Sequence, residues 1–233
     1  MVLQSPQILY PESDGKPMAD NTLQFRWIVT IKENLELLFA NDPQVFIAGD
    51  LLWYPVEGNN KLSQAPDAMV VFGRPKGERR SYQQWKEDNL PPQVAFEILS
   101  PSNTLKEMSK KLKFYEDYGV EEYYLYDPDK VDMTGWTRSG NRFEIIDEIN
   151  GWTSPRLGVR FEVQPETLVL YSPDGDRFLT FTELGQAKEQ AEQQLEQERQ
   201  RAEQERQRAE QERQRADRLA ERLRALGIDP DAE

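Results

Sequence analysis

The sequence predicts an α+β (mixed α/β) domain followed by a long charged helix, and three observations carry that reading. An amphipathic helical pattern near the N-terminus leads into several short apolar runs in series. Two of those runs carry a single carboxylate: Asp67 opens Ala68-Met69-Val70-Val71-Phe72, and Glu97 interrupts Val94-Ala95-Phe96-Glu97-Ile98-Leu99. From Gln186 the composition shifts abruptly to Ala, Glu, Gln and Arg. The expected organisation is a polar leader over 1–20, one domain over 21–185 and a charged helix over 186–228. A chain of 233 residues is long enough for one full core and such an appendage.

Over Asn21 to Ala40, Leu23, Trp27, Ile31, Leu35 and Leu38 recur at helical spacing. Gln44 to Ala48 reads as a strand, Gly49-Asp50 as a turn into Leu51-Leu52-Trp53-Tyr54, and Pro55 to Pro66 as a loop. The strand after Asp67 ends in the basic loop Gly73-Arg74-Pro75-Lys76-Gly77. After the Glu97 strand, Ser100-Pro101-Ser102-Asn103-Thr104 breaks the run, and Thr104 with Glu107 has capping-box spacing. That helix should stop near Gly119, before a strand over Glu122 to Tyr126. Further short strands are expected around Arg142 to Ile149, Val159 to Val163, Thr167 to Tyr171 and Arg177 to Phe181. In the tail, Leu195, Ala202, Ala209, Ala216 and Leu223 stand seven apart, but the seam three residues later reads Glu198, Glu205, Glu212, Leu219 and Leu226. So little apolar area favours a solvated helix over a dedicated coiled coil, with self-association or a protein partner through this helix as the rival.

Composition removes whole classes of chemistry. Zero His excludes Ser-His-Asp and Cys-His catalysis and histidine-ligated metals, and zero Cys excludes disulfides and thiolate zinc sites. The leader lacks the features of a secretory signal and no run approaches a membrane span, so a cytoplasmic protein with no membrane role is expected. The formal charge is -13, and residues 1 to 185 alone carry 19 basic against 29 acidic side chains. Nucleic-acid binding must therefore rest on local basic patches and on cations held by acids.

A lone ionised carboxylate in an apolar strand costs several kcal/mol or more, so Glu97 needs a partner, a proton or a metal. Two neighbouring strands carrying Asp67 and Glu97 to one end of a sheet offer oxygen ligands to a hard cation, Mg2+ (or Mn2+). The carbonyl of Ile98 or Leu99 is expected to complete its shell. Such an ion stabilises charge on a phosphodiester and acidifies the attacking water, assisted by a nearby lysine. In the common arrangement that lysine stands two residues after the acid, where this sequence has Leu99. On the following helix, only Lys111 among Lys106, Lys110, Lys111 and Lys113 falls inside the apolar arc of Leu105, Met108, Leu112, Phe114, Tyr115 and Tyr118.

These residues together resemble a known family. The runs Ala65-Pro66-Asp67-Ala68-Met69-Val70-Val71 and Phe96-Glu97-Ile98-Leu99-Ser100-Pro101-Ser102-Asn103, Lys111 four before Tyr115, and Gly119 through Pro128 are similar to the Uma-two family. This bacterial group, formerly a domain of unknown function, sits in the restriction-endonuclease-like PD-(D/E)xK superfamily, and the match spans Leu23 to Tyr171. The resemblance implies a restriction-endonuclease-like core, a central mixed sheet flanked by helices. It also implies endonuclease activity, with Asp67 and Glu97 as metal-binding acids and Lys111 as the displaced catalytic lysine. The expected function is thus Mg2+-dependent hydrolysis of phosphodiester bonds in DNA. The rivals are a non-catalytic interaction module acting through its C-terminal helix and, disfavoured by the lysine, a carboxylate-pair glycosidase. Glu33 is a further candidate metal ligand against a solvated helix face. Arg74, Lys76, Arg79 and Arg80 are candidate phosphate contacts against a solvated loop cluster. Tyr115, Tyr118, Tyr123, Tyr124 and Tyr126 read as core with the hydroxyl at the rim, against base stacking, and Trp27, Trp53 and Trp85 read as core.

Overall fold

The computed structural model describes residues 8–15 and 17–226. Helix α1 (Thr22–Leu38) forms where Ile28, Ile31 and Leu35 recur on one buried face. Asn21 caps it, its side chain accepting from the Gln24 N–H at 2.8 Å. Strands β1 (Val45–Ala48), β2 (Trp53–Tyr54), β3 (Ala68–Phe72), β4 (Tyr82–Gln83) and β5 (Val94–Ile98) follow. Helix α2 (Leu105–Asp117) starts on Thr104, whose hydroxyl accepts from the Glu107 N–H at 3.2 Å, and stops before Gly119, which holds φ +95°. Then come β6 (Glu122–Asp127), β7 (Asp132–Ser139), β8 (Arg142–Ile145), the hairpin β9 (Arg160–Val163) with β10 (Leu168–Tyr171), and α3 (Phe181–Ala225).

Six strands make one mixed sheet in the order β1-β3-β5-β6-β7-β8, in which only β5 and β6 run parallel. Because side chains alternate along a strand, the sheet has two apolar faces. Val70, Val94, Phe96, Ile98, Tyr124 and Tyr126 meet α1 and the β9–β10 hairpin. Met69, Val71, Ala95 and Tyr123 meet Phe114 and Tyr115 of α2, with Trp53 and Tyr82 from the small parallel β2–β4 pair.

Four expectations change. Strand β7 was not expected, because Gly135 interrupts its pattern. A Cβ there would stand 2.7 Å from Ile146 and 2.9 Å from Ile149, so the glycine makes room for them. The strand expected over Arg142 to Ile149 ends at Ile145. Arg177 to Phe181 is not a strand: Arg177 makes a single bridge with Tyr171, and Phe181 already begins α3. The long helix therefore starts five residues before Gln186 and passes through Gly185; residues 227 and 228 of the expected helix lie outside the described residues.

The chain divides into a unit ending at Phe181 and a second beginning at Thr182. In the second, α3 buries no side chain among its described residues, and Gln200, Gln207 and Gln214 each donate to a glutamate four residues earlier. The described part of the expected leader, 8–15 and 17–20, lies against the domain: Tyr54 OH donates to the Pro11 carbonyl at 2.8 Å, and Tyr10 packs on Tyr54 and Trp85. Residues 1–7 and 16 lie outside the described residues.

Candidate active site

The antiparallel register of β3 and β5 pairs Ala68 with Phe96, so one step out Asp67 stands across from Glu97. Directly opposed residues share a face, and this is the α2 face. Both acids are buried, Glu97 to 2% exposure and Asp67 to 8%. Asp67 Oδ2 accepts from the Ile98 N–H at 2.6 Å, which fixes the acid against the end of β5. From α2, Lys111 Nζ donates to Glu97 Oε2 at 2.6 Å, and Tyr115 OH donates to Glu97 Oε1. Lysine and tyrosine four apart lie one turn above the other on a helix, so both reach one carboxylate.

The electrostatics follow from this crowding. Burial, with Glu97 alongside, pushes the Asp67 carboxyl well above the usual carboxylate range, against the opposing pull of Lys111 and the Ile98 N–H. Burial alone would lower Lys111, but Glu97 and Asp67 outweigh it and hold the ammonium above the usual lysine range. Lys111 therefore stays charged at neutral pH. Tyr115 is raised well above its ordinary value by burial and then by Glu97, so its hydroxyl stays a donor.

The site opens into a cleft of about 770 Å³. Besides Asp67, Glu97 and Lys111, its lining includes Gln24, Asp50, Asp14 and Asp20. Sequence reasoning missed Gln24 and Asp50. Gln24 is buried in the first turn of α1 and donates from Nε2 to the Ile98 carbonyl at 2.7 Å while accepting from the Asp20 N–H at 2.8 Å. Asp50 holds φ +49° in the turn after β1, and its N–H donates to the Pro66 carbonyl at 3.0 Å, next to Asp67. Burial and then Asp14 raise its carboxyl. The Gly-Asp pair was legible as a turn, and a turn packed against the strand that Asp67 opens was the signal available. Beyond Glu97, Ser100 Oγ donates to Asp20 Oδ2 at 2.6 Å, as does Ser102 Oγ, tying the Ser100-Pro101-Ser102 loop to the residues before α1.

The other candidates are placed elsewhere. Glu33 is exposed and pairs with Lys32 at 3.0 Å, outside the cleft. Its helix packs on the opposite face of the sheet from Asp67 and Glu97, and only the first turn of that helix reaches the cleft. Leu99 is not in the cleft lining, and its N–H bonds the Tyr126 carbonyl at 2.7 Å. The Ile98 carbonyl is at the cleft with Gln24 already on it. The four loop cations are also outside and held by acids: Arg74 by Glu87 and Asp88, Lys76 by Glu36, Arg79 by Glu87 and Arg80 by Glu12.

Among the described residues, no group of three or more His, Cys, Asp or Glu is arranged to hold an ion alone. Two carboxylates suit Mg2+ all the same, because that ion is usually held by one or two acids with waters and a substrate phosphate in the remaining positions. Among the described residues Tyr123 OH is buried without a hydrogen-bond partner, within electrostatic reach of Glu97 and Asp67 but outside the cleft lining. The residues present thus fit a hard cation held by Asp67 and Glu97.

No curated protein matches this chain. A solved structure from Anabaena variabilis ATCC 29413, described as a "putative nuclease belonging to DUF820", is similar at 17% identity and a TM-score of 0.45, covering 60% of this chain and 74% of that one. No described helix is long and apolar enough to cross a membrane. The facing acids and their lysine lie inside residues 14–164, the segment matched by the Uma2 family described as "Putative restriction endonuclease", and to that family this chain belongs.

Proposed function

We infer that this protein is a Mg2+-dependent endonuclease that hydrolyses phosphodiester bonds in DNA in the cytoplasm, with Mn2+ as the alternative ion. The observation that carries the reading is the facing of Asp67 and Glu97 across β3 and β5, with Lys111 on Glu97, at the floor of an open cleft. Asp67 and Glu97 would hold the ion, while the Ile98 carbonyl, expected as a further ligand, already accepts from Gln24. When bound, a divalent cation supplies charge stabilisation for the phosphoryl oxygens and a more acidic water. Lys111, cationic and one bond from Glu97, orients the attacking water or offsets the charge that builds on the phosphoryl oxygens. Tyr115 aims Glu97 by donating to its other oxygen. Gln24 fixes the strand end on which both acids converge.

The second reading, a non-catalytic member of the fold that binds partners through α3, draws on Leu99 standing where the superfamily's lysine is expected. A nicking assay on supercoiled plasmid with Mg2+, Mn2+ or EDTA, run beside calorimetric titration of each ion, separates the two. Ion-dependent nicking is expected. Neither nicking nor ion binding would leave the second reading standing.

A further inference from the structure

Lysines on α2 fall into two groups by their partners. Lys111 is held by Glu97, and Lys113 by Glu116 at 3.1 Å and Asp117 at 2.6 Å. Lys106 and Lys110 are exposed, line the same cleft as Asp67 and Glu97, and make no ion pair with an acid among the described residues.

Their placement runs against the helix that carries them. Lys106 is the second residue of α2, in the turn where the helix dipole favours an acid and opposes a cation. Lys110 follows four residues later, a spacing at which like charges repel along a helix face. Lys106 at least is not placed for the stability of α2, and a residue that breaks a local rule beside a cleft marks a functional position. The surroundings sharpen the point. Asp14, Asp20, Asp50 and Glu107 also line this cleft, and among its described lining residues the cations are these two ammonium groups and Lys111. The loop cations Arg74, Lys76, Arg79 and Arg80 are each taken by an acid outside the cleft.

We propose that Lys106 and Lys110 are the phosphate grip of this cleft, holding backbone phosphates of the nucleic acid beside the scissile bond, and that the 74–80 loop takes no part. The assignment rests on the nuclease reading and adds its substrate contacts. It implies a small footprint. Two ammonium contacts confer a shallow salt dependence, roughly 0.7 units of log-log slope per contact on a single strand and roughly 0.9 on a duplex. Both residues would act on substrate affinity, because they hold phosphates flanking the scissile one.

The test is fluorescence anisotropy of the full chain with a short labelled oligonucleotide, single-stranded in one arm and duplex in the other. Titration runs across a series of KCl concentrations with EDTA present, so that the strand stays intact. Lys106→Gln with Lys110→Gln should flatten the slope by about 1.4 on a single strand or about 1.8 on a duplex, and weaken single-strand binding about 25-fold at 0.1 M salt. Arg80→Gln and Lys76→Gln should leave slope and affinity unchanged. Lys106→Glu should weaken binding further while leaving the melting temperature the same or higher, because it puts an acid at the helix start. Wild-type binding with an unchanged slope in the double variant would overturn the grip and spare the nuclease reading. No wild-type binding to either strand at low salt would overturn the grip, and the plasmid-nicking assay would then decide the nuclease reading by itself.

Discussion

Glu97 and Glu122 are both 2% exposed and sit on the adjacent parallel strands β5 and β6, Glu97 inside an apolar run and Glu122 at the opening of its strand. Their surroundings differ completely. Glu122 pairs in register with Val94 at the start of β6 and faces the α1 side, where Tyr124 OH donates to it at 3.0 Å, the Arg156 N–H at 2.7 Å, and Ser154 Oγ as well. All three donors are neutral, and among the described residues no carboxylate acts to raise its carboxyl. Glu97 is at the far end of β5 on the α2 face, shares its space with Asp67, and relies on a lysine that borders a cleft. Burial alone therefore does not separate a structural acid from a chemical one. A like charge alongside and an opening to solvent do, because only the second acid is left with a charge problem that an incoming group can solve.

The widest separation should appear in activity. Glu97→Ala is expected to lower ion-dependent cleavage about 10²- to 10³-fold or more with the fold intact by circular dichroism. Glu122→Ala should leave cleavage per folded molecule near wild type and cost about 1–3 kcal/mol in urea melts, because three buried donors lose their acceptor. Equal loss of cleavage from both would erase the distinction.

Lys111→Ala should lower turnover at saturating substrate about 10²-fold and leave ion affinity unchanged or higher, since it removes a cation that competes for Glu97. Lys110→Ala should instead act on substrate affinity, which a kcat against KM analysis resolves. Asp67→Asn should abolish cleavage and raise the melting temperature by about 2–4 °C at neutral pH, because it relieves repulsion with Glu97 while keeping an acceptor for the Ile98 N–H. A fall in melting temperature would mean that the acids are not in conflict.

The sequence alone made part of this legible and hid the rest for identifiable reasons. Asp67 and Glu97 stood out because a carboxylate in an apolar strand is costly wherever it lies, and Lys111 because a helix fixes the azimuth of every side chain. Glu33 did not, since periodicity says that a helix packs on a sheet without saying on which face. Asp50 was hidden by its turn, whose left-handed backbone brings it beside Asp67 only in three dimensions. The loop cations looked available because their partners, Glu12, Glu36 and Glu87, are set by tertiary folding. Glu122 escaped notice as a buried acid because it opens its strand, where a polar residue is ordinary.

Smaller effects refine the comparison. Burial raises the Glu122 carboxyl from its ordinary 4.5, against the pull of Ser154, Arg156 N–H and Tyr124. The folded state then holds this proton more readily than the unfolded chain. Its share of stability is full below the ordinary range and is lost as pH climbs from 4.5 through the raised folded value. Glu122→Gln should flatten that decline in melts taken across mildly acidic pH, and an unaltered decline would place the titration elsewhere. The smallest change is expected from truncation after Gly185. The melting temperature of the remaining domain and its cleavage should match the full chain, because α3 carries its own Gln–Glu ladder and buries no side chain among its described residues. Loss of a stable dimer by light scattering would show that Leu219, Leu223 and Leu226 hold a partner helix.

The bonds that close the cleft reach far along the chain. Gln24 to the Ile98 carbonyl spans 74 residues, and Ser100 to Asp20 spans 80. High contact order of this kind is costly in loop-closure entropy and slow to form. On a chain emerging from the ribosome at about 5–20 residues per second, Asp67 appears seconds before the strand that holds Glu97, and α2 later still. The acids, the lysine and the segment before α1 can therefore meet only after most of the domain has been synthesised, and amide protection of Ile98 should be among the last to develop during refolding.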